Sequence, residues 1–413
     1  MLHQQRKALR EKQLAYLHIC KLANQFFLSY EKPFDVAVIG GGLAGLALTI
    51  QSAKAGYKTI LFEKDLYPFH RVCGEYISLE SWNFLEELGL PLSDMNLPVI
   101  KRLLVSAPNG KAVESSLPLG GFGISRYAID HQLAQIARQA GANVMDGVRI
   151  TDVKFNGHDF ILLANSRHSD YFAGTVKASV VAGSFGKRSN LDVKWQRPFT
   201  EHKPNKLNNY IGVKYHICTD QPADLIALHN FSHGYCGISQ VERNKYCLCY
   251  LTTAENLKRS NNSIQEMERN ILCKNPFLKD IFSQSQFILE EPVTISQISF
   301  EKKSLIEDHV LMVGDAAGMI TPLCGNGMSM ALHAAKLAFA EADSFLKNKT
   351  SRSEMEARYS AEWKKHFAGR LRAGRLIQAF FGDALLSNLL VSSLKPFPRF
   401  TGWLIRQTHG EPF

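Results

Sequence analysis

Between residues 34 and 63 the hydrophobic rhythm changes repeatedly. Residues 35–39 are a short apolar run, 40–45 are rich in glycine, 46–55 are apolar at a helical period, Gly56 interrupts, and 58–63 are apolar again. The pattern predicts strand, turn, helix, turn and strand, one βαβ unit of about 30 residues, the size of a nucleotide-binding half. Residues 128–140 predict an amphipathic helix, followed by short strands near 143–155, 160–164 and 179–182. The stretch 210–251 alternates with period two like an antiparallel sheet, with Gly212, Gly234 and Gly237 as turn or bulge points. Residues 305–314 read as a buried strand bounded by charge, and 328–346 as an alanine-rich helix. Ahead of all this, Leu9, Leu14, Leu17, Ile19, Leu22 and Phe26 mark residues 1–33 as an amphipathic helical extension, a lid, a partner helix or an upstream-start segment. The fold class is therefore α/β, a Rossmann-type domain with an inserted antiparallel sheet and a helical C-terminal segment.

Charge adds a restriction. The chain of 413 residues carries a net +10, from 48 Lys and Arg against 38 Asp and Glu. Residues 1–33 hold six basic against two acidic groups and residues 351–413 hold ten against five, which leaves 32 against 31 for the body. A nearly neutral body with basic ends excludes a nucleic-acid reader, whose basic groups line a groove or helix face. The eight cysteines form no C-x-x-C pair, so no metal site is expected and most are reduced core residues. Lys and Arg interrupt the N-terminal apolar residues before a secretory core forms, which predicts a cytoplasmic protein. Near the other end, Arg370, Arg372 and Arg375 precede an apolar stretch through 384–394, the composition either of a helix packed on the protein body with its arginines in solvent or of one that makes peripheral membrane contact.

Two glycine-rich segments carry the chemistry. Gly40-Gly41-Gly42-Leu43-Ala44-Gly45 fits G-x-G-x-x-G after a strand and before a helix. Its first glycine makes the turn, its second, Gly42, admits a pyrophosphate, and its third lets helix pack on strand. Glu63 follows at the end of the next strand, beside Lys64, where a carboxylate accepts hydrogen bonds from an unphosphorylated ribose. The second segment, Val310-Leu311-Met312-Val313-Gly314-Asp315-Ala316-Ala317-Gly318, decides for FAD over NAD. Asp315 can bind a ribityl hydroxyl, and the small residues after it let the backbone approach. Thr321-Pro322-Leu323-Cys324-Gly325-Asn326-Gly327-Met328 then aims free N–H groups and a helix N-terminus at the side of the flavin that becomes negative on reduction.

Together these residues resemble the p-hydroxybenzoate-hydroxylase-like flavoprotein superfamily, in particular its geranylgeranyl-reductase-like branch, with flavin monooxygenases and flavin-dependent halogenases as relatives. The resemblance spans about residues 34–345 and includes Tyr67-Pro68-Phe69-His70-Arg71-Val72-Cys73-Gly74-Glu75 and Ser125-Arg126. It implies that Arg71 and Arg126 face the FAD pyrophosphate or ribityl chain and that Cys73, Gly74 and Glu75 border the flavin. The sheet-rich insert between the two glycine-rich segments implies a discontinuous FAD domain at 34–190 and 290–345, with a substrate-side excursion near 76–120, a substrate sheet at 191–289 and a helical region at 346–413.

Three departures from the family narrow the reading. The aromatic pattern of the prenyl reductases is replaced by Gly234-Tyr235-Cys236-Gly237-Ile238-Ser239, and Trp82, Trp195, Trp363 and Trp403 are too scattered for the halogenase tryptophan motif. Where many flavin hydroxylases have an Asp-Gly motif, this chain has Ser184-Phe185-Gly186-Lys187, which puts NAD(P)H as direct electron donor in question and suggests a separate flavin reductase or carrier. The expected activity is oxygenation through reduced flavin, or dehydrogenation through oxidised flavin, of a hydrophobic aromatic, polyketide-like or lipid substrate. Double-bond reduction of a prenyl lipid, then halogenation, then a non-catalytic electron-carrying or lipid-binding role are the alternatives. His216, His229 and His233 are candidates to reach a substrate from the sheet.

Overall fold

The computed structural model describes residues 33–166, 173–201, 203, 205, 207–289, 291–321, 325–380, 387, 388, 391 and 410–413. The N-terminal extension, residues 322–324 and most of the apolar stretch at 384–394 lie outside the described residues.

In chain order, β1 (Phe34–Ile39), α1 (Leu43–Lys54) and β2 (Thr59–Glu63) form the first unit. β3 (Tyr76–Ser78), α2 (Trp82–Glu87), β4 (Val99–Ser106) and β5 (Ala112–Gly123) precede α3 (Arg126–Gln139). β6 (Asn143–Asp146), β7 (Val148–Phe155), β8 (Phe160–Ser166), β9 (Ala173–Gly183) and the short α4 (Asn190–Lys194) come next. β10 (Tyr210–Cys218), β11 (Leu225–Phe231), β12 (Gly234–Gln240) and β13 (Tyr246–Thr253) lead into α5 (Ala254–Arg259), α6 (Ile264–Asn270) and α7 (Pro276–Gln284). The chain then runs through β14 (Gln286–Phe287), β15 (Val293–Ile298), β16 (Ile306–Glu307), β17 (Val310–Met312), α8 (Gly327–Leu346) and α9 (Arg352–Phe380).

Two sheets result. The first has the order β16-β17-β9-β1-β2-β6, with β7 and β8 joined through β9. β1 is parallel to β2 and β9, and β17 is parallel to β9, so β1, β2 and β17 deliver their carboxyl ends to one edge. Burial on both faces explains the continuous apolar runs: Phe34 and residues 36–39 are all buried, as is every residue of β2. The helices α1, α3 and α8 cover this sheet's core. The second sheet has the order β14-β10-β13-β12-β11-β4-β5-β3, with β15 also on β10, and is antiparallel except where β11 meets β4. Its back buries Val213, Tyr215, Ile217, Leu248 and Tyr250 against α5–α7.

Several boundaries differ from the sequence expectation. α1 starts at Leu43, because Gly42 is already extended and serves as its N-cap. The expected strand at 305–314 is a tight hairpin of β16 and β17, since Asp308 and His309 adopt φ of 45° and 66° and reverse the chain. β9 is longer than expected and α8 begins one residue early. β15 pairs with β10, so the second sheet keeps the chain until Ile298, beyond residue 289. Among the described residues, no helix is long and apolar enough to cross a membrane.

Candidate active site: a cofactor edge facing a polar strand face

At the carboxyl end of β1, Gly40 adopts a φ of 102°, and a Cβ there would stand 2.6 Å from the Ser184 carbonyl oxygen. Ser184 donates its N–H to the Ile39 carbonyl (2.8 Å) and its hydroxyl to that of Gly40 (2.6 Å), locking the turn against β9. A Cβ on Gly45 would collide with the Gly40 carbonyl, so helix and turn lie in direct backbone contact there. Gly42 faces more open space, its nearest neighbour being the Arg126 guanidinium, 3.4 Å from where a Cβ would lie. No side chain caps α1, which leaves its first N–H groups for an anion.

Glu63, at the end of β2, accepts from the Gly41 N–H (2.9 Å), from Arg71 (2.8 Å) and from the Asp65 N–H (3.1 Å). Lys64 points outward beside it, 3.7 Å from Asp65. Arg71 also reaches Asp130 (3.0 Å), and Arg126 grips the same buried carboxylate through Nε (2.8 Å) and Nη2 (2.7 Å). Burial opposes both guanidinium charges, but Glu63 and Asp130 outweigh it for Arg71, and Asp130 for Arg126, so both pKa values rise. Two arginines thus stand beside Gly41 and Gly42, held by one aspartate that sequence reading did not single out.

Residues 72–75 cross from this edge to the second sheet. Three successive carbonyls are pinned there: Lys187 donates to Val72 (3.2 Å), Cys247 to Cys73 (3.2 Å) and Ser239 to Gly74 (3.3 Å). Glu75 then adopts a φ of 56° and is wholly buried. It accepts from the Arg126 N–H (2.7 Å), from His216 Nε2 (2.6 Å) and from the Lys214 ammonium. Burial alone would raise the Glu75 pKa, yet Lys214 and His216 hold it down to about 2. Glu75, His216 and Cys247 are close enough to suggest a metal, but the buried Lys214 ammonium already supplies the cation. Glu242, after β12, accepts from the Ser125 N–H (2.7 Å) and hydroxyl (2.5 Å), a second tie to the start of α3.

The third strand end delivers residues 314–318. Gly314, Asp315, Gly327, Met330 and Trp363 line a small, shallow cleft. The half-buried Asp315 carboxylate accepts no hydrogen bond among the described residues. Cys73 Sγ lies 3.5 Å from Met328 Sδ, so residues 72–75 meet the first turn of α8, and a Cβ on Gly325 would stand 3.1 Å from the Tyr76 ring. Gly325, Asn326 and Gly327 precede or open that helix without a side-chain cap. The end of β17 that delivers this turn is braced by α9, whose Tyr359 donates to the Met312 carbonyl (2.6 Å).

Of the predicted histidines, His216 joins the site through Glu75. His229 is bonded to Ser106 (2.8 Å) inside the second sheet, and His233 is exposed in the β11–β12 turn. Lys214, which proves central, was legible only as a charged residue sharing a strand face with Gly212 and His216 in an otherwise apolar segment.

An uncapped helix behind a glycine turn, paired arginines and an unpartnered carboxylate on a cleft are the donor set FAD requires, and a family model described as FAD binding domain matches residues 33–367. The chain belongs to that family. FAD is its cofactor. It is similar to a digeranylgeranylglycerophospholipid reductase of Methanocaldococcus jannaschii, 26% identical over 87% of this chain and 91% of the relative. It is also similar to conditioned medium factor receptor 1 of Dictyostelium discoideum, 25% identical over 82% of this chain and 68% of that protein, and to a tryptophan 2-halogenase of Chondromyces crocatus, 22% identical over 84% and 67%. Among solved structures, a geranylgeranyl bacteriochlorophyll reductase-like protein of Thermoplasma acidophilum shares the fold with a TM-score of 0.73, at 19% identity over 92% of this chain and 97% of that one. A flavin-dependent brominase gives 0.74, at 17% identity over 91% and 93%.

Proposed function

We propose that this chain is an FAD-dependent oxidoreductase whose substrate is a hydrophobic small molecule held between the flavin and the inner face of the second sheet. The observation that carries this reading is one apolar cluster built from both halves. Leu228, Tyr235 and Leu251 of the second sheet pack with Ile298, Phe300 and Met319, and Met319 directly follows the cofactor turn at 314–318. These side chains are all buried, so this apolar seam would have to part to take an aromatic, polyketide-like or lipid body, and would then keep water from the reaction.

FAD supplies the electron transfer. The chain holds it: α1 and the two arginines offer charge to the pyrophosphate, Glu63 faces the ribose, Asp315 the ribityl chain, and Cys73 and Gly74 border the ring. Residues 72–75, pinned at three carbonyls, keep substrate face and flavin in register. Oxygenation or dehydrogenation is the first reading. Reduction of a prenyl double bond is the second, supported by the archaeal reductase that matches over nine-tenths of its own length. With Phe185 behind the Gly40 turn instead of an aspartate, a separate flavin reductase or carrier is the preferred donor over NAD(P)H alone.

The test is anaerobic reduction of the yellow protein, incubation with a cell lipid extract, and mass spectrometry of products with and without added oxygen. Products gaining an oxygen atom support oxygenation, those gaining two hydrogens without oxygen support double-bond reduction, and products losing two hydrogens to oxidised enzyme incubated in parallel, with bleaching of its flavin, support dehydrogenation. Flavin that neither reoxidises faster nor changes any extract component under either condition would overturn the proposal. Rapid bleaching by NADPH alone would overturn the choice of donor.

A further inference from the structure

Behind the Gly314–Ala316 turn lies a set of buried charges that no motif announces. Arg197, 1% exposed, donates to Asp192 (2.6 Å) and to the carbonyls of Ser304 (2.9 Å) and Ala316 (3.1 Å). Lys303 is buried too, and its Nζ donates to the carbonyls of Lys187 (2.8 Å) and Asp315 (2.9 Å). Phe199 packs on both, its ring centroid 4.3 Å from Lys303 Nζ and 5.2 Å from the Arg197 guanidinium.

The two cations differ in one respect. Arg197 has a carboxylate partner, whereas Lys303 has two neutral carbonyls and a ring face, and no carboxylate within ion-pair distance among the described residues. A buried ammonium without a counter-charge is costly. Burial pushes its pKa down to about 8, Arg197 and Lys187 push the same way, and Asp192 and Asp315 oppose them. Asp192 is already engaged by Arg197, and Asp315 faces the cleft.

We propose that Lys303 is a positioning residue of the FAD site. Its two carbonyl bonds fix the turn that presents Asp315, and the anionic pyrophosphate of the bound cofactor supplies the negative charge that the protein withholds. The inference rests on FAD lying against residues 314–318. Bound FAD favours the ammonium, so the complex takes up a proton, and affinity falls as pH rises through about 8.

The experiment is titration of the apoprotein with FAD at pH 7 and pH 9.5, for wild type, Lys303→Arg, Lys303→Met and Asp315→Ala. Wild-type affinity should fall by about fivefold to tenfold between the two pH values. Lys303→Arg, charged throughout, should bind tightly at both. A folded Lys303→Met should bind about tenfold more weakly at pH 7 and show no pH step. A Lys303→Arg protein that keeps the wild-type step, or a folded Lys303→Met protein that binds like wild type, overturns the inference. Asp315→Ala with undiminished affinity at pH 7 would instead show that FAD does not lie on this turn, which overturns the premise separately.

Discussion

In the first sheet Phe34 and residues 36–39 are buried, so β1 has no free face, and the polar groups of that half gather where strands end, at Gly40, Glu63 and Gly314. In the second sheet β10 buries Val213, Tyr215 and Ile217 on its back and turns Lys214 and His216 towards Glu75. One half displays its chemistry from strand termini, the other along a strand face. The difference follows from pairing: parallel strands flanked by helices on both sides leave only their ends open, while an antiparallel sheet covered on its back keeps a face for function. Residues 72–75 join the two, because their carbonyls and the Glu75 carboxylate belong to the first half and their donors chiefly to the second.

The largest effect should come from crowding the strand ends. Gly45→Val drives a side chain into the Gly40 carbonyl and the Ser184 hydroxyl, and should cost more than the roughly 1–3 kcal/mol usual for overpacking, leaving little folded protein. Gly237→Ala, on the open face of β12, meets its nearest neighbour at 3.4 Å and should change stability by less than about 1 kcal/mol in chemical denaturation. Equal losses from the two would erase the contrast between ends and face.

Breaking the link between the halves comes next. Lys214→Met leaves Glu75 charged and buried without its ammonium and should destabilise by about 3–5 kcal/mol. Adding Glu75→Gln should restore much of that loss, and a double-mutant cycle measures the recovery. Additive losses would mean that the two residues stabilise the protein separately.

Asp315→Ala tests one strand end alone. FAD affinity should fall by about 1–3 kcal/mol, while the apoprotein, in which this carboxylate has no hydrogen-bond partner among the described residues, should melt where wild type does. Fluorescence titration and a thermal scan report the two quantities.

The smallest effect is an acid response of the second sheet. Burial lowers the His229 pKa from 6.5 to about 4, so between those values the unfolded chain binds a proton that the folded one refuses. Its contribution is complete above about pH 6.5 and is lost as pH falls towards 4. His229→Gln should therefore shrink the drop in stability between pH 7 and pH 4.5 by about 1–2 kcal/mol. An unchanged drop would assign the acid response elsewhere.

The βαβ unit at 34–63 was readable in the chain because each of its signals is local. Gly40 needs a positive φ, Gly45 needs backbone contact, and β1 and β2 need apolar runs, and those demands fall on neighbouring residues. Asp315 and the helix after it were readable for the same reason, and together the two segments named FAD. The hairpin at Asp308 and His309 was not, because a turn made by two non-glycine residues leaves no distinctive composition. The partners of Glu75 were further out of reach. Lys214 and His216 lie 139 and 141 residues along the chain, and only the fold, which lays residues 73–75 across the face of β10, β12 and β13, brings them to it. The same holds for Asp130 beneath two arginines and for Lys303 behind Asp315, since a buried charge is stabilised by whatever the fold places around it, and that arrangement is a property of tertiary contact.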